Sequence, residues 1–374
     1  MIAPVIAQEL KRYMTATTGS MMPADSSSVA ALQPALKVRL IGKSNGVGLS
    51  RDFELLAAAL AACGCEVTQQ VCERRDRKRR RSLLTRLAMR MARWRGAQPD
   101  PPFDVNIMLE HIWPQFVRQA RCNVLVPNPE WFDRRDVAML GIADRIWAKT
   151  AFAEQLFAAR GSRCIRIGFD SDDRAQPAVG RLPQFLHLAG RSPLKGTRHL
   201  VALWQRHPEW PPLTVVQDTP AGTATGRPAA ANIFRERGFL SDQDLRMLQN
   251  THRFHLCLSE AEGWGHYIAE AMSTGAVTFT CDAPPMNELV GAERGVLVRA
   301  LDGERHNLAR IVRFDDAALE AAVEHSLALS AAQLDTIGAA ARAWFLSNKQ
   351  GFVARVQDAV ADIARAARGG AQRG

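Results

Sequence analysis

The sequence holds no apolar run approaching the roughly 20 residues that a membrane-spanning helix needs. Residues 1–35 lack the charged start and unbroken apolar core of a secretory signal. Their Ser, Thr, Met and Pro content reads as a loosely ordered lead-in, with Met21 and Met22 as alternative starts. Cys63, Cys65, Cys72, Cys122, Cys164, Cys257 and Cys281 are scattered over the chain, and no second Cys or His pair stands at zinc spacing from Cys63 and Cys65. The expectation is reduced thiols in a cytoplasmic protein, with no metal site and no cofactor. Two nucleotide motifs are begun and not completed. Gly42-Lys43-Ser44 ends like a P-loop, but Lys37 stands where that motif needs Gly. Gly46 and Gly48 open like a dinucleotide fingerprint, but Arg51 stands where the third Gly belongs.

Acidic charge is missing from one segment in particular. Residues 74–95 hold eleven Lys or Arg and one acid, Asp76, so this segment carries a surplus as large as the whole chain's net charge of +10. Read as a helix from Ser82, it sets Leu84, Leu87, Ala88, Met91 and Trp94 on one face and Arg86, Arg90 and Arg93 on another. That pattern suits an anionic membrane surface or an ordinary packed helix with solvated arginines. With no aromatic interleaving or recognition motif, no nucleic-acid partner is expected.

Elsewhere short apolar runs alternate with helical stretches, the order of an α/β protein with parallel sheets. Lys37 to Gly42 reads as a first strand, followed by a glycine-rich loop and a helix from Phe53 to Ala62. Phe103 to Leu109 is a strand ending at Glu110-His111, Cys122 to Asn128 and Asp144 to Lys149 continue the alternation, and Gln184 to Ala189 delivers Arg191 and Lys195 beside a helix start. Two cations at such a place suit a diphosphate. Trp131, Trp147, Lys149 and Thr150 fall near strand ends without an assignable role. Asp170-Ser171-Asp172 spells a metal-binding D-x-D, which the two-domain order of the chain argues against.

Residues 253–290 are the most informative stretch. Phe254 to Leu258 is of buried-strand type, Gly263 and Gly265 break it, His266 to Thr274 is helical and closed by Gly275, and Ala276 to Thr280 is again a strand. In such a βαβ unit ligands sit at the carboxyl ends of the strands. Glu262 ends the loop, and Glu270 on the helix leans back towards it, because helical side chains tilt to the N-terminus. The backbone N–H groups of Gly263 to Tyr267 have no helical acceptor and favour an anion. Two hydroxyl-binding carboxylates beside a phosphate seat are what a nucleotide sugar needs.

The run Glu262-Gly-Trp-Gly…Glu270-Ala-Met…Gly275…Asp282…Glu288 resembles the E-x7-E signature of retaining glycosyltransferases of family 4, which have the GT-B fold: two Rossmann-like doubly wound α/β domains facing across a cleft. The resemblance implies a metal-independent hexosyltransferase using a nucleotide-diphosphate sugar and a hydroxyl acceptor, with retention. Glu262 would hold sugar hydroxyls, Glu270 the ribose, Arg191 and Lys195 the leaving diphosphate, and Gly263, Gly265, His266 and Tyr267 the donor. Gly46 and Gly48 would line the donor side from the first domain, and His111, or its neighbour Glu110, would reach donor or acceptor. Pro284-Pro285-Met286-Asn287 depart from the glycines usual in that family and stiffen the loop after Asp282.

The implied domains are 36–168, a hinge at 169–180, 181–345, and a final helix over 346–374 that crosses back and ends in a frayed tail. With the basic segment, a lipid-linked or envelope glycan is the expected acceptor and the membrane face a peripheral location. The alternatives are a GT-B sugar-nucleotide epimerase, an inverting transferase with His111 as base, and a basic membrane- or nucleic-acid-binding protein.

Overall fold

The structure, a computed structural model, describes residues 35–43, 46, 48–73, 75–76, 100–217, 230–238 and 240–371. The basic segment 74–95 lies outside these residues apart from Arg75 and Asp76.

The chain opens with β1 (Lys37–Gly42), α1 (Gly48–Ala62) and β2 (Glu66–Val71), then β3 (Phe103–Glu110), β4 (Ala120–Pro127), α2 (Arg134–Met139), β5 (Arg145–Ala148), α3 (Ala151–Ala158) and β6 (Cys164–Arg166). These strands form one sheet in the order β2-β1-β3-β4-β5-β6, with every pairing parallel. Parallel strands covered by helices are buried on both faces, which suits the apolar second halves of β1 (Leu40 and Ile41) and β3 (Ile107, Met108 and Leu109); the buried polar pair Arg39 and Asn106 satisfies itself by hydrogen bonding. Helix α1 starts at Gly48, five residues before the position expected from composition. Leu49, Phe53, Leu56 and Leu60 recur at helical spacing and are all buried, and the polar first turn is tolerated because its Asp52 is paired.

A second sheet follows: β7 (Leu182–Gly190), α4 (Thr197–Trp204), β8 (Leu213–Gln217), β9 (Ile233–Arg237), α5 (Asp242–Thr251), β10 (His252–Cys257), α6 (His266–Ser273), β11 (Val277–Asp282), α7 (Met286–Leu289), β12 (Val296–His306) and β13 (Ala309–Phe314). Its order is β13-β12-β11-β10-β7-β8-β9, parallel except for the β12–β13 hairpin. By composition, Arg294-Gly-Val-Leu-Val298 reads as a last strand that stops at Val298. The strand instead continues through charged residues to His306 and returns, because the hairpin exposes alternate positions to water. The turn is made at Asn307, whose φ of 54° is one Asn tolerates better than most residues.

Residues 167–181 link the sheets. Helices α8 (Asp316–Ala328) and α9 (Ala331–Ala371) close the chain. Helix α9 runs along the link, with Arg342 on Asp173, Lys349 on Asp170, Asn348 on the Phe169 carbonyl and Arg355 on the Ile167 carbonyl. It then reaches the first sheet, where Asp362 accepts from Arg145 and Arg163.

In doubly wound sheets, ligands bind where strand order reverses. In the first sheet that point lies between β1 and β3, so the Gly46 loop and Glu110-His111 flank it. In the second it lies between β7 and β10, flanked by residues 190–196 and 258–265.

Candidate functional site

In the second sheet the loops after β7 and β10 are tied by a hydrogen bond from the Glu260 N–H to the Leu194 carbonyl (2.9 Å). Gly196, with φ of 68°, allows this approach, since a Cβ there would meet the Leu258 carbonyl oxygen at 2.8 Å. The tie brings Lys195 onto Glu262 as an ion pair, and Lys195 Nζ also stands 3.6 Å from the centroid of the Tyr267 ring. Ser259 Oγ donates to Glu262 Oε1 and meets Tyr267 Oη, each at 2.5 Å. Burial holds the Tyr267 phenol well above its ordinary range, so it stays neutral. Lys195, Glu262 and Tyr267, distant in sequence, therefore form one cluster.

Helix α6 begins directly behind this cluster. Gly265, at φ 94°, turns the chain into it, and no side chain caps its first turn. Glu270 lies one turn in and accepts weakly from Gln249 Nε2 (3.4 Å). Arg191 is exposed on the loop after β7. The His266 ring faces the first sheet: Nε2 meets Asp52 Oδ1 and Nδ1 meets Ser171 Oγ, both at 2.9 Å. Both ring nitrogens are therefore engaged, and the His266 side chain is turned away from the Lys195–Glu262 pair. Asp52 also binds Lys149 Nζ at 2.5 Å, and Trp264 Nε1 donates to Ser171 Oγ (3.1 Å). Burial alone would raise the Asp52 carboxyl, but Lys149 and His266 outweigh it and hold the group below the usual carboxylate range. This buried chain of groups joins α1, the end of β5, the link and the start of α6.

Gly46 has φ of 70°, and its N–H donates to Ser50 Oγ (2.8 Å). Gly48 opens α1 opposite α6, and a Cβ on it would lie 4.0 Å from the His266 ring. Gly48 and the start of α6 thus face each other.

On the first sheet, Glu110 ends β3 with φ of 65°, an uncommon backbone state for a residue other than glycine. Its carboxylate lies 3.4 Å from Lys43 Nζ and 3.3 Å from His111 Nε2. His111 Nδ1 meets Asp136 Oδ2 at 2.8 Å, and Asp136 Oδ1 accepts from the Ile112 N–H (3.0 Å). Asp136 is fully buried on α2. The Asp136 carboxylate thus fixes the His111 ring through Nδ1, and Nε2 lies towards the Glu110 carboxylate.

Several participants gave no sequence signal. Asp52, Ser171, Ser259 and Asp136 act through partners remote in the chain, and Glu130, described below, sits in a turn with no motif. Asp136 follows Asp133 by three residues, the spacing of a helix cap: Asp133 accepts from the N–H groups of Arg135 and Asp136, at 2.8 and 3.1 Å. Glu288, quoted in the signature, accepts from the Ala151 and Phe152 N–H groups (2.6 and 2.8 Å), capping α3 across the two sheets. The D-x-D acids are engaged in the link, Asp170 with Lys349 and Asp172 with Arg51. Among the described residues no group of three or more His, Cys, Asp or Glu is arranged to hold a metal ion, and no helix is long and apolar enough to cross a membrane.

No protein-family model matches the sequence, and no curated protein matches it. Solved structures match most of the chain. Sucrose-phosphate synthase from Thermosynechococcus elongatus has a TM-score of 0.63 at 14% identity, covering 88% of this chain and 100% of that one. A glycosyltransferase from Rickettsia africae ESF-5 has a TM-score of 0.64 at 13% identity, covering 88% and 99%. Anabaena HepE, solved with UDP and glucose, has a TM-score of 0.58 at 15% identity, covering 88% and 99%. At such identities the likeness is one of fold. The chain thus has the architecture expected from its signature, two mostly parallel Rossmann-like α/β sheets, and its close structural matches are GT-B glycosyltransferases.

Proposed function

We propose that this protein is a metal-independent, retaining glycosyltransferase resembling family 4, which moves a hexose from a nucleotide-diphosphate sugar to a hydroxyl acceptor. The observation that carries the reading is the Lys195–Glu262–Tyr267 cluster at the reversal point of the second sheet, beside the uncapped start of α6. A leaving diphosphate develops negative charge. Lys195, Arg191 and the first N–H groups of α6 stand where that charge would lie, and fixed dipoles and cations of this type are usually the largest catalytic term. Lys195 and Glu262 are drawn together as an ion pair. A bound donor would part them, the ammonium turning to phosphate and the carboxylate to sugar hydroxyls. Glu270 grips the ribose, Gly46 and Gly48 let the opposite backbone approach, and His111 reaches the sugar from the first sheet.

Because HepE was solved with UDP and glucose, UDP-glucose is the first donor to assay. Lys195→Ala and Glu262→Ala are expected to lower transfer at least about a hundredfold with unchanged far-UV circular dichroism. Turnover near the parent level in either variant would remove the assignment. Product anomers read by NMR in the same assay decide the stereochemistry. The Asp136–His111 pair favours one rival reading, inversion with His111 as base, and an inverted product would establish it.

The basic segment 74–95 is proposed to hold the enzyme at an anionic membrane surface, where a lipid-linked or envelope glycan is the acceptor. The full chain is expected to sediment with vesicles containing phosphatidylglycerol, and a chain lacking 74–95 is expected to stay in the supernatant while still binding UDP. Equal sedimentation of both would reject the role.

A further inference from the structure

Residues 128–132, between β4 and α2, form a turn closed by the Trp131 N–H donating to the Asn128 carbonyl (3.0 Å). The tip of the β12–β13 hairpin lies on it. Asn307 Nδ2 donates to the Glu130 carbonyl (2.7 Å), and the Leu308 N–H donates to the Pro129 carbonyl (3.2 Å). The turn therefore sits where elements of the two sheets meet, beside the cluster around Glu262.

Three features of this turn are unexplained by packing. Glu130 is only 4% exposed, and its Oε2 has no hydrogen-bond partner among the described residues. Asn128 Oδ1 is likewise buried and unpartnered among them, and it occupies the space where a Cβ on Gly263 would fall, 2.3 Å away. Trp131 is 40% exposed, its ring edge-on to His306 at 5.9 Å. A buried polar atom without a partner costs free energy, so two of them within three residues mark a place completed by something else.

The charges that act on Glu130 come from several elements: Glu262 from the loop after β10, Lys149 from the end of β5 and Glu110 from the end of β3. His306 faces the neighbouring Trp131 from the hairpin. Lys149 is already paired with Asp52, and Glu262 with Lys195. Burial pushes the Glu130 carboxyl up to about 8 against a hydrogen bond from its own N–H, with the Glu262 carboxylate adding to the rise and Lys149 opposing it. At neutral pH Glu130 is therefore an acid with a proton to donate.

We infer that Glu130 and Asn128 form the floor of an acceptor subsite whose occupant is a neutral, hydroxyl-bearing saccharide ring, with Trp131 at its mouth. This rests on the glycosyl-transfer reading above. A sugar hydroxyl accepts through its oxygen and donates through its hydrogen, so the hydroxyls of one ring suit both a carboxyl that donates and an amide oxygen that accepts. A phosphate or carboxylate accepts from Glu130 but offers Asn128 nothing, and it meets Glu110 and Glu262 as like charges. An exposed tryptophan face completes the set that a pyranose uses: an apolar face and a few directed polar groups.

The test is saturation-transfer NMR on the full chain loaded with UDP. One probe set is the methyl α- and β-pyranosides of glucose, mannose, galactose and N-acetylglucosamine. The other is glucose 6-phosphate and mannose 6-phosphate. At neutral pH at least one methyl pyranoside is expected to bind and neither phosphate. Near pH 9, where only about a tenth of Glu130 keeps its proton, parent binding is expected to fall about tenfold. Glu130→Gln, neutral at every pH and still a donor, is expected to bind at both. Glu130→Ala and Asn128→Ala are expected to lose about tenfold at both while UDP still raises Tm.

Binding confined to the sugar phosphates, no binding by any methyl pyranoside, a flat parent profile, or a Gln variant no better than Ala would each overturn the inference. The Ala result would mean that a buried water completes the turn. If UDP gives no thermal shift in the parent chain, it is the donor reading that fails, and the pyranoside arm, run without UDP, still decides the subsite.

Discussion

The two reversal points of this molecule are built differently. At the second sheet, Lys195, Ser259, Glu262 and Tyr267 satisfy one another within two neighbouring loops and the first turn of α6, and the cluster is complete before any element of the first sheet is considered. At the first sheet little is self-contained. Glu110 and His111 lie at the end of one strand, but Asp136 comes from α2, Lys43 from just past the carboxyl end of β1, and the neighbouring Asp52 is satisfied by Lys149 and by His266 of the opposite sheet. A site closed on itself keeps its geometry whatever the other sheet does. A site assembled from remote elements takes its geometry from how those elements sit.

The sharpest way to break this contrast is at Asp52, which belongs to the first sheet by position and to both by contact. Asp52→Ala leaves Lys149, only 3% exposed, without its carboxylate and frees the His266 ring. Removing one partner of a buried pair costs about 3–5 kcal/mol, so chemical denaturation is expected to show a loss of that size. The sign with pH is set by the lowered Asp52 carboxyl: its contribution is full above the ordinary carboxylate range and disappears as pH falls through the folded-state value below it. The parent and the variant should therefore converge in stability on acidification. A loss below about 1 kcal/mol at neutral pH would mean that the two halves are not held through this carboxylate.

A smaller effect is expected at Asp136, where the fold of the first sheet should survive and only the orientation of His111 change. Asp136→Asn keeps the side chain's volume but can point a donor at Nδ1, which favours the wrong imidazole tautomer. About a hundredfold loss in kcat is expected, with UDP affinity within about twofold of the parent. An equal loss in UDP affinity would mean that the first sheet contributes to the donor seat as directly as the second does, and the contrast would dissolve.

The same contrast explains which parts were legible in the sequence. The parallel sheets show as apolar runs because burial on both faces leaves no other pattern, and Glu262 and Glu270 stand out because their spacing is fixed within one loop and helix. Asp52, Ser171, Asp136 and Glu130 could not be read this way, since each is defined by a partner brought near only by the fold. His266 illustrates the boundary. Its place at the start of α6 follows from Gly265, but the capture of its ring by Asp52 and Ser171 depends on how α1 and residues 167–181 pack. The β12–β13 hairpin is illegible for another reason: beyond Val298 its exposed positions carry charge, so composition marks a strand only as far as Val298.

The smallest expected effect concerns the contact between the two halves at Gly263. A Cβ there meets only the side chain of Asn128, at 2.3 Å from Oδ1 and 3.0 Å from Cβ, with no backbone atom among the nearest neighbours. Gly263→Ala should therefore cost little within the second sheet and about 1–2 kcal/mol where the two sheets meet, because Asn128 must turn aside. In a double-mutant cycle, adding Asn128→Ala is expected to recover most of that loss, giving a coupling of at least about 0.5 kcal/mol. Coupling near zero would show that the glycine serves its own loop alone. The second sheet's site would then be self-contained to its edge, and the contact with residue 128 would be incidental to both halves.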